Sequence, residues 1–196
     1  MIGYRLLAAA ALVLAGTAAQ AQQNTNIRGA ITGFDGKVIS IRTNDGQNVS
    51  VDLPETVAVS ITKPFTMADV KPGMKLGVTT IKRADGATVA IDVRPIPPAA
   101  AEGLSPYDLQ PQSTMTNAVA EATAQAAGAD ELTLNYKTGT VKVLVPPGTP
   151  MSQAAPGART DVKAGETIFV AARKDEAGKL VAARVQVSKD GVKPTQ

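Results

Sequence analysis

Apolar and polar residues alternate along this chain in short runs separated by turn residues. Ile39 and Ile41 alternate with polar neighbours, Asn44-Asp45-Gly46 follows, and Val49, Val51 and Leu53 alternate again. A period of two around an Asp-Gly step predicts an antiparallel hairpin with one buried face. Upstream, Ile27, Ala30, Ile31 and Phe34 lead into Asp35-Gly36 and predict a first strand. Pro54 ends the third strand, because proline cannot donate to a sheet ladder. The alternation weakens from Glu55 to Val70, where residues 66–70 predict one helical turn ahead of the Pro72-Gly73 corner. Two further strands follow at about residues 75–81 and 88–94, joined through Asp85-Gly86.

The whole pattern then returns at a fixed offset of 92 residues. Asp69-Val70-Lys71-Pro72-Gly73 recurs as Asp161-Val162-Lys163-Ala164-Gly165, and the same offset pairs Val49 with Val141, Val51 with Val143, Pro54 with Pro146, Val78 with Val170 and Val93 with Val185. Strands are therefore predicted at residues 131–136, 140–145, 167–172 and 180–187. A period of 92 is too long for a solenoid repeat or a propeller blade. Five short strands with a connection between the third and fourth are the order of an OB-fold, although a split sandwich gives a similar string. The chain reads as all-β, two tandem small OB-like five-stranded barrels after a cleaved signal peptide. The divisions are a leader at 1–21, a first barrel domain at 22–95, a Pro/Ala-rich and polar linker at 96–117, a second barrel domain at 118–191 and a tail at 192–196.

The leader rests on Arg5, an apolar run from Leu6 to Ala15 and the small-residue site Ala19-Gln20-Ala21, which together have the layout of a secretory signal. The run is about half of the roughly 20 residues that a spanning helix needs. The mature chain is expected to begin at Gln22, to be periplasmic or secreted, and not to be embedded in the membrane. With no cysteine anywhere, stability comes from packing rather than disulfides. Each copy has only about 70 residues, a size at which one core is marginal, so contact between the copies is expected to contribute. Loss of Arg5 leaves 19 basic and 17 acidic side chains, and the aromatics are three Phe and three Tyr with no Trp. Interspersed charges and sparse stacking platforms argue against nucleic acid as a partner.

Without His or Cys the commonest general base and the strongest nucleophile are missing, which leaves a Ser/Lys or Asp-pair hydrolase as the enzymatic alternative. No Gly-x-Ser-x-Gly pattern stands in the mature chain to support it. Asp69 and Asp161 recur at one structural position, which points to capping or turn bonding. Asn44-Asp45-Gly46-Gln47-Asn48 lacks the late bidentate Glu of a calcium loop and reads as a turn. Met67, Met74, Met115 and Met151 are scattered, as core and gap-filling residues are. No cofactor, metal site or catalytic residue is expected. The linker is the one long stretch without clear core positions, and such stretches either carry function or tether. Tyr107, Asp108, Ser113, Thr114, Thr116 and Asn117 are its candidate partner-binding residues, the alternative being that they only pack the barrels together.

The Asp-Val-Lys-Pro-Gly segment at 69–73, the Asp-Gly turn at 85–86, the linker segments Tyr107-Asp108-Leu109 and Ser113-Thr114-Met115-Thr116-Asn117, and the tail from Lys189 to Pro194 resemble exported bacterial proteins built from OB-like domains of unknown function, often duplicated. That resemblance implies OB-like barrels behind a signal peptide. Relatives tend to carry His and Trp where this chain has Leu104 and Tyr107, and some are labelled as associated with metal transport. The resemblance thus implies a metal-transport accessory role as an alternative, while the missing His and Cys remove the usual ligands for zinc and copper(II). The preferred expectation is a non-catalytic binding or scaffold protein. Its partner would be a protein, peptide or glycan of the cell envelope, met through barrel faces and the linker.

Overall fold

The structure is a computed structural model and describes residues 25–126 and 128–195. The expected leader and the Gln22 start lie outside the described residues. Thirteen strands run in chain order: β1 (Thr25–Phe34), β2 (Val38–Thr43), β3 (Asn48–Asp52), β4 (Val59–Pro64), β5 (Lys75–Lys82), β6 (Thr88–Pro95), β7 (Gly103–Pro106), β8 (Thr114–Ala126), β9 (Ala129–Tyr136), β10 (Gly139–Val145), β11 (Ser152–Pro156), β12 (Thr167–Lys174) and β13 (Leu180–Val187). One-turn helices at Met67–Asp69 and Arg159–Asp161 precede β5 and β12. No helix among the described residues is long and apolar enough to cross a membrane.

The strands close into two five-stranded barrels. In the first, β1, β2 and β3 run antiparallel, β12 pairs with β1, and β13 closes the ring by lying parallel to β3 with Leu180 opposite Val51. In the second, β8, β9 and β10 run antiparallel, β5 pairs with β8, and β6 closes on β10 with Val89 opposite Leu144. These parallel closures decide between a barrel and the split sandwich that the sequence also allowed.

Each barrel takes three strands from one copy of the repeat and two from the other. The contiguous units 22–95 and 118–191 are therefore not the bodies that close: the hairpin β5–β6 leaves its own copy for the second barrel, and β12–β13 leaves for the first. The connection after β3 explains the exchange. Leu53 and Val59 still pack in the first core, β4 runs beside β13 with Val59 opposite Val185, and Phe65 and Val70 already belong to the second core. The chain crosses over along β4 rather than folding back.

The crossing strands pair with each other. Thr62 of β4 lies opposite Ala154 of β11, two residues 92 apart, while Ser60 faces Pro156 and Pro64 faces Ser152. Position i meets position j and j meets i, as at an isologous dimer interface, so an internal two-fold passes through the Thr62–Ala154 pair. Both cores are shared equally: the first holds seven buried apolar residues from each copy and the second holds six from each. Each buried Val, Leu or Ile contributes about 1.5–3 kcal/mol, so neither copy retains enough alone for a full core.

The repeated local features fall where expected. The Asp69 carboxylate accepts the Thr66 amide N–H at 2.9 Å and Asp161 accepts that of Ala158 at 2.8 Å, which caps the two one-turn helices. Gly73 and Gly165 have φ of +84° and +93°. Their amides donate to the carbonyls of Ala120 in β8 and Ile31 in β1, the strands beside which β5 and β12 then run, and the positive φ disfavours any β-carbon at either corner. Met67, Met74 and Met151 pack on the second core, and Met115 is buried.

Candidate binding groove between the barrels

The 96–117 linker is more ordered than its composition suggests. Lys75 Nζ donates to the carbonyls of Pro98 and Ala100, both at 2.8 Å, and ion-pairs with Glu102 at 3.1 Å. β7 then adds to the outer part of β8, so that residues 114–117 belong to the first strand of the second copy. The loop 107–113 is tied off by Ser113, whose buried hydroxyl lies 2.9 and 2.8 Å from the carbonyls of Tyr107 and Gln110.

The six candidate residues divide in two. Ser113, Thr114, Thr116 and Asn117 hold the linker in place: Thr116 is buried opposite Leu104 and Val78, the Thr114 carbonyl accepts the Thr80 hydroxyl at 3.4 Å, and the Asn117 amide donates to the Ala101 carbonyl at 3.1 Å. Tyr107 and Asp108 reach across to the first barrel. Asp108 accepts from Arg28 at 2.8 and 3.2 Å and from the Asn26 amide at 3.1 and 3.2 Å. Partial burial alone would raise its pKa, but the bonds from Arg28 and Asn26 outweigh burial and hold it below the usual carboxylate value.

Arg28 is the middle member of a row of five side chains that sequence reasoning did not assemble. Its guanidinium sits 5.6 Å from the Tyr107 ring centre and 5.3 Å from that of Phe169. Arg94 lies over Tyr107 at 5.8 Å, and Arg184 over Phe169 at 5.1 Å. The order Arg94, Tyr107, Arg28, Phe169, Arg184 alternates cation and ring, each contact worth about 0.5–2 kcal/mol depending on desolvation. Arg94 comes from β6 of the second barrel, and Arg28, Phe169 and Arg184 from the first, so the chain of contacts joins the barrels through the linker tyrosine.

Two carboxylates serve the cluster. Asp108 answers Arg28, and the fully buried Asp92 contacts Arg94 and the Thr195 hydroxyl of the tail. Burial is the dominant influence on Asp92 and lifts its pKa above the ordinary value despite Arg94. Arg184 has a pKa below the guanidinium norm, first because it is desolvated and then because Arg94 is close.

A groove of about 480 Å³ opens along this seam. Arg94, Arg173 and Arg184 line it with Tyr107 and Phe169, over an apolar bed that includes Ile96, Pro97, Ala171 and Ala183, and no carboxylate is among its lining residues. Two further cavities, of about 700 and 520 Å³, occupy corresponding ends of the second and first barrels. Among the described residues, no three His, Cys, Asp or Glu side chains gather where they could hold a metal.

One signal in the sequence did mark the cluster. The offset of 92 that matches apolar with apolar elsewhere sets Gly77 against Phe169 and Asp92 against Arg184. A charge reversal at a repeated strand position marks a place where the two copies do different things. Comparison with known proteins adds no relative: no family model, curated protein or solved structure matches the chain.

Proposed function

We propose that the chain is an exported, non-catalytic binding or scaffold protein of the cell envelope, built on OB-like barrels and engaging a protein, peptide or glycan. The strand order around each barrel, first-second-third-fifth-fourth with the third and fifth parallel, supports the OB-like assignment. The observation that carries the binding reading is the groove at the seam, a concave site with convergent arginines and aromatic walls. Its remaining polar side chains are Asn26, Ser105 and Asn117, which supply hydrogen bonds but no general base near neutral pH.

The test is a crosslinking pull-down from the envelope fraction with tagged protein, beside an Ala183→Phe variant that fills the groove. Export predicts an intact mass beginning at Gln22, and binding predicts a crosslinked species that Ala183→Phe loses while melting like the parent. A protein retained in the cytoplasm with residues 1–21 attached would overturn the export. Equal capture by the filled variant would remove the groove from the reading.

A further inference from the structure

We infer that the groove between the barrels is a site for an organic carboxylate with a short apolar body, its charged head held by Arg184 beside Arg94. This rests on the binding reading above and names the ligand class.

The charge around the groove is unevenly answered. Arg94 has the buried Asp92 at its side, and Arg28 has Asp108. Arg184 has no ion pair to a carboxylate among the described residues, only the Phe169 face. A ring face compensates a cation far less than a carboxylate does. Burial first, and the nearby Arg94 after it, lower the affinity of Arg184 for its proton, and both guanidiniums line the one groove. Arg94 already gives Nη1 to Asp92 and Nη2 to Met115 Sδ, so an anion in the groove would be answered chiefly by Arg184, whose planar guanidinium fork is suited to it.

The remaining walls define the rest of the ligand. Phe169, Ile96, Pro97, Ala171 and Ala183 are apolar or small, and beyond Arg94 and Arg184 the lining adds one further cation, Arg173. A volume of about 480 Å³ suits a small molecule or one side chain with its flanking backbone. An inorganic oxyanion would satisfy the arginines but leave the apolar walls wet. A neutral ligand of the same shape would leave Arg184 unanswered.

Three probes separate these cases: sodium benzoate, its neutral isostere benzamide, and inorganic phosphate. Each is titrated into the full-length mature protein at low ionic strength, with amide shifts at Ala171 and Ala183 reporting the site. Benzoate is expected to shift those amides and to bind at least tenfold tighter than benzamide or phosphate. Arg184→Gln is expected to weaken benzoate tenfold or more. Arg184→Lys, which keeps the charge and loses the fork, should fall between, and guards against a fold defect in the glutamine variant. Lys142→Gln, an exposed site on the second barrel, should bind like the parent. Benzoate and benzamide binding alike, phosphate equalling benzoate, or an Arg184→Gln affinity equal to the parent's would each overturn the assignment. Any of these results would leave envelope capture by the parent unchanged, so failure of the ligand class is distinguishable from failure of the binding reading.

Discussion

Cutting the chain between its two copies should leave the protein whole. The turn at Pro98 and Ala99 is exposed and lies outside every strand, between the two carbonyls that Lys75 holds, so a protease site inserted there removes the covalent link without touching a strand. After cleavage, each fragment holds half of both cores, seven of fourteen buried apolar residues in one and six of twelve in the other. Neither fragment has a closed barrel in the paired arrangement, because β3 needs β13 and β10 needs β6. The fragments should therefore stay together and unfold together.

The size of the effect follows from losing the tether. A short linker holds its ends at an effective concentration in the millimolar range, so fragments at about 10 μM lose roughly a hundredfold, or about 2.7 kcal/mol. Stability should then fall by about 1.4 kcal/mol for each tenfold dilution, whereas that of the uncut chain should not change with concentration. Size-exclusion chromatography with urea melts at two concentrations reads both quantities. Two separately eluting fragments, each with a cooperative melt and strand-type circular dichroism, would refute the exchange and show that each copy closes on itself.

Two other outcomes are expected. Gly73→Val should lower stability by about 1–3 kcal/mol, because φ of +84° is strained for a β-branched residue, and adding Gly165→Val should cost a similar amount again, since the two corners lie in different barrels; an unchanged melting temperature would contradict the corner geometry. Asp108→Asn should lower stability at pH 7 by no more than about 1 kcal/mol, because the Asp108 side chain is half exposed and the pair with Arg28 is screened. The folded-state pKa of Asp108 lies below its unfolded value, so its contribution is present above about pH 4 and fades as pH falls through the folded value. The gap between parent and variant in thermal melts should narrow on acidification, and a constant gap down to pH 2 would contradict the pairing.

Much of the architecture was legible because the repeat holds without a gap. The hairpins β5–β6 and β12–β13 begin and end at residues that are 92 apart, and the one-turn helices fall where the alternation weakened. The pairing partners were not legible, since β5 and β12 share one local pattern and either would complete either barrel. What decides is whether residues 53–75 fold back or run on, and the buried polar contact that helps anchor the crossing strand, the Gln186 amide on Thr62 at 3.1 Å, lies 124 residues apart in sequence. The first strand of the second copy escaped notice for a different reason. Val119 pairs with Asn135 where Gly29 pairs with Thr43, so β8 stands two residues earlier than the offset of 92 requires. Its Thr- and Ala-rich sequence also blunts the alternation. Of the linker candidates, Tyr107 and Asp108 are the two that reach the first barrel, and the arginines they meet were hidden in the sequence by an even spread of charge along the chain.

The exchange of hairpins also accounts for how an asymmetric groove sits at a nearly symmetric seam. Arg94 on the exchanged hairpin of one copy confronts Phe169 and Arg184 on that of the other. In a dimer of identical chains both faces would carry the same residues. Two copies with aspartate at the position of Asp92 and Arg184 would present carboxylates from both sides, and two with arginine would leave Arg94 and its symmetry mate without the buried partner that Asp92 provides. Copies that share one chain are free to differ, so one face keeps the aspartate, buried under Arg94, while the other presents an arginine. The linker completes the asymmetry, because β7 and Tyr107 occur once and can close only one side of the two-fold. The duplication supplies the barrels, and the differences between the copies at Gly77/Phe169 and Asp92/Arg184 make the groove between them asymmetric.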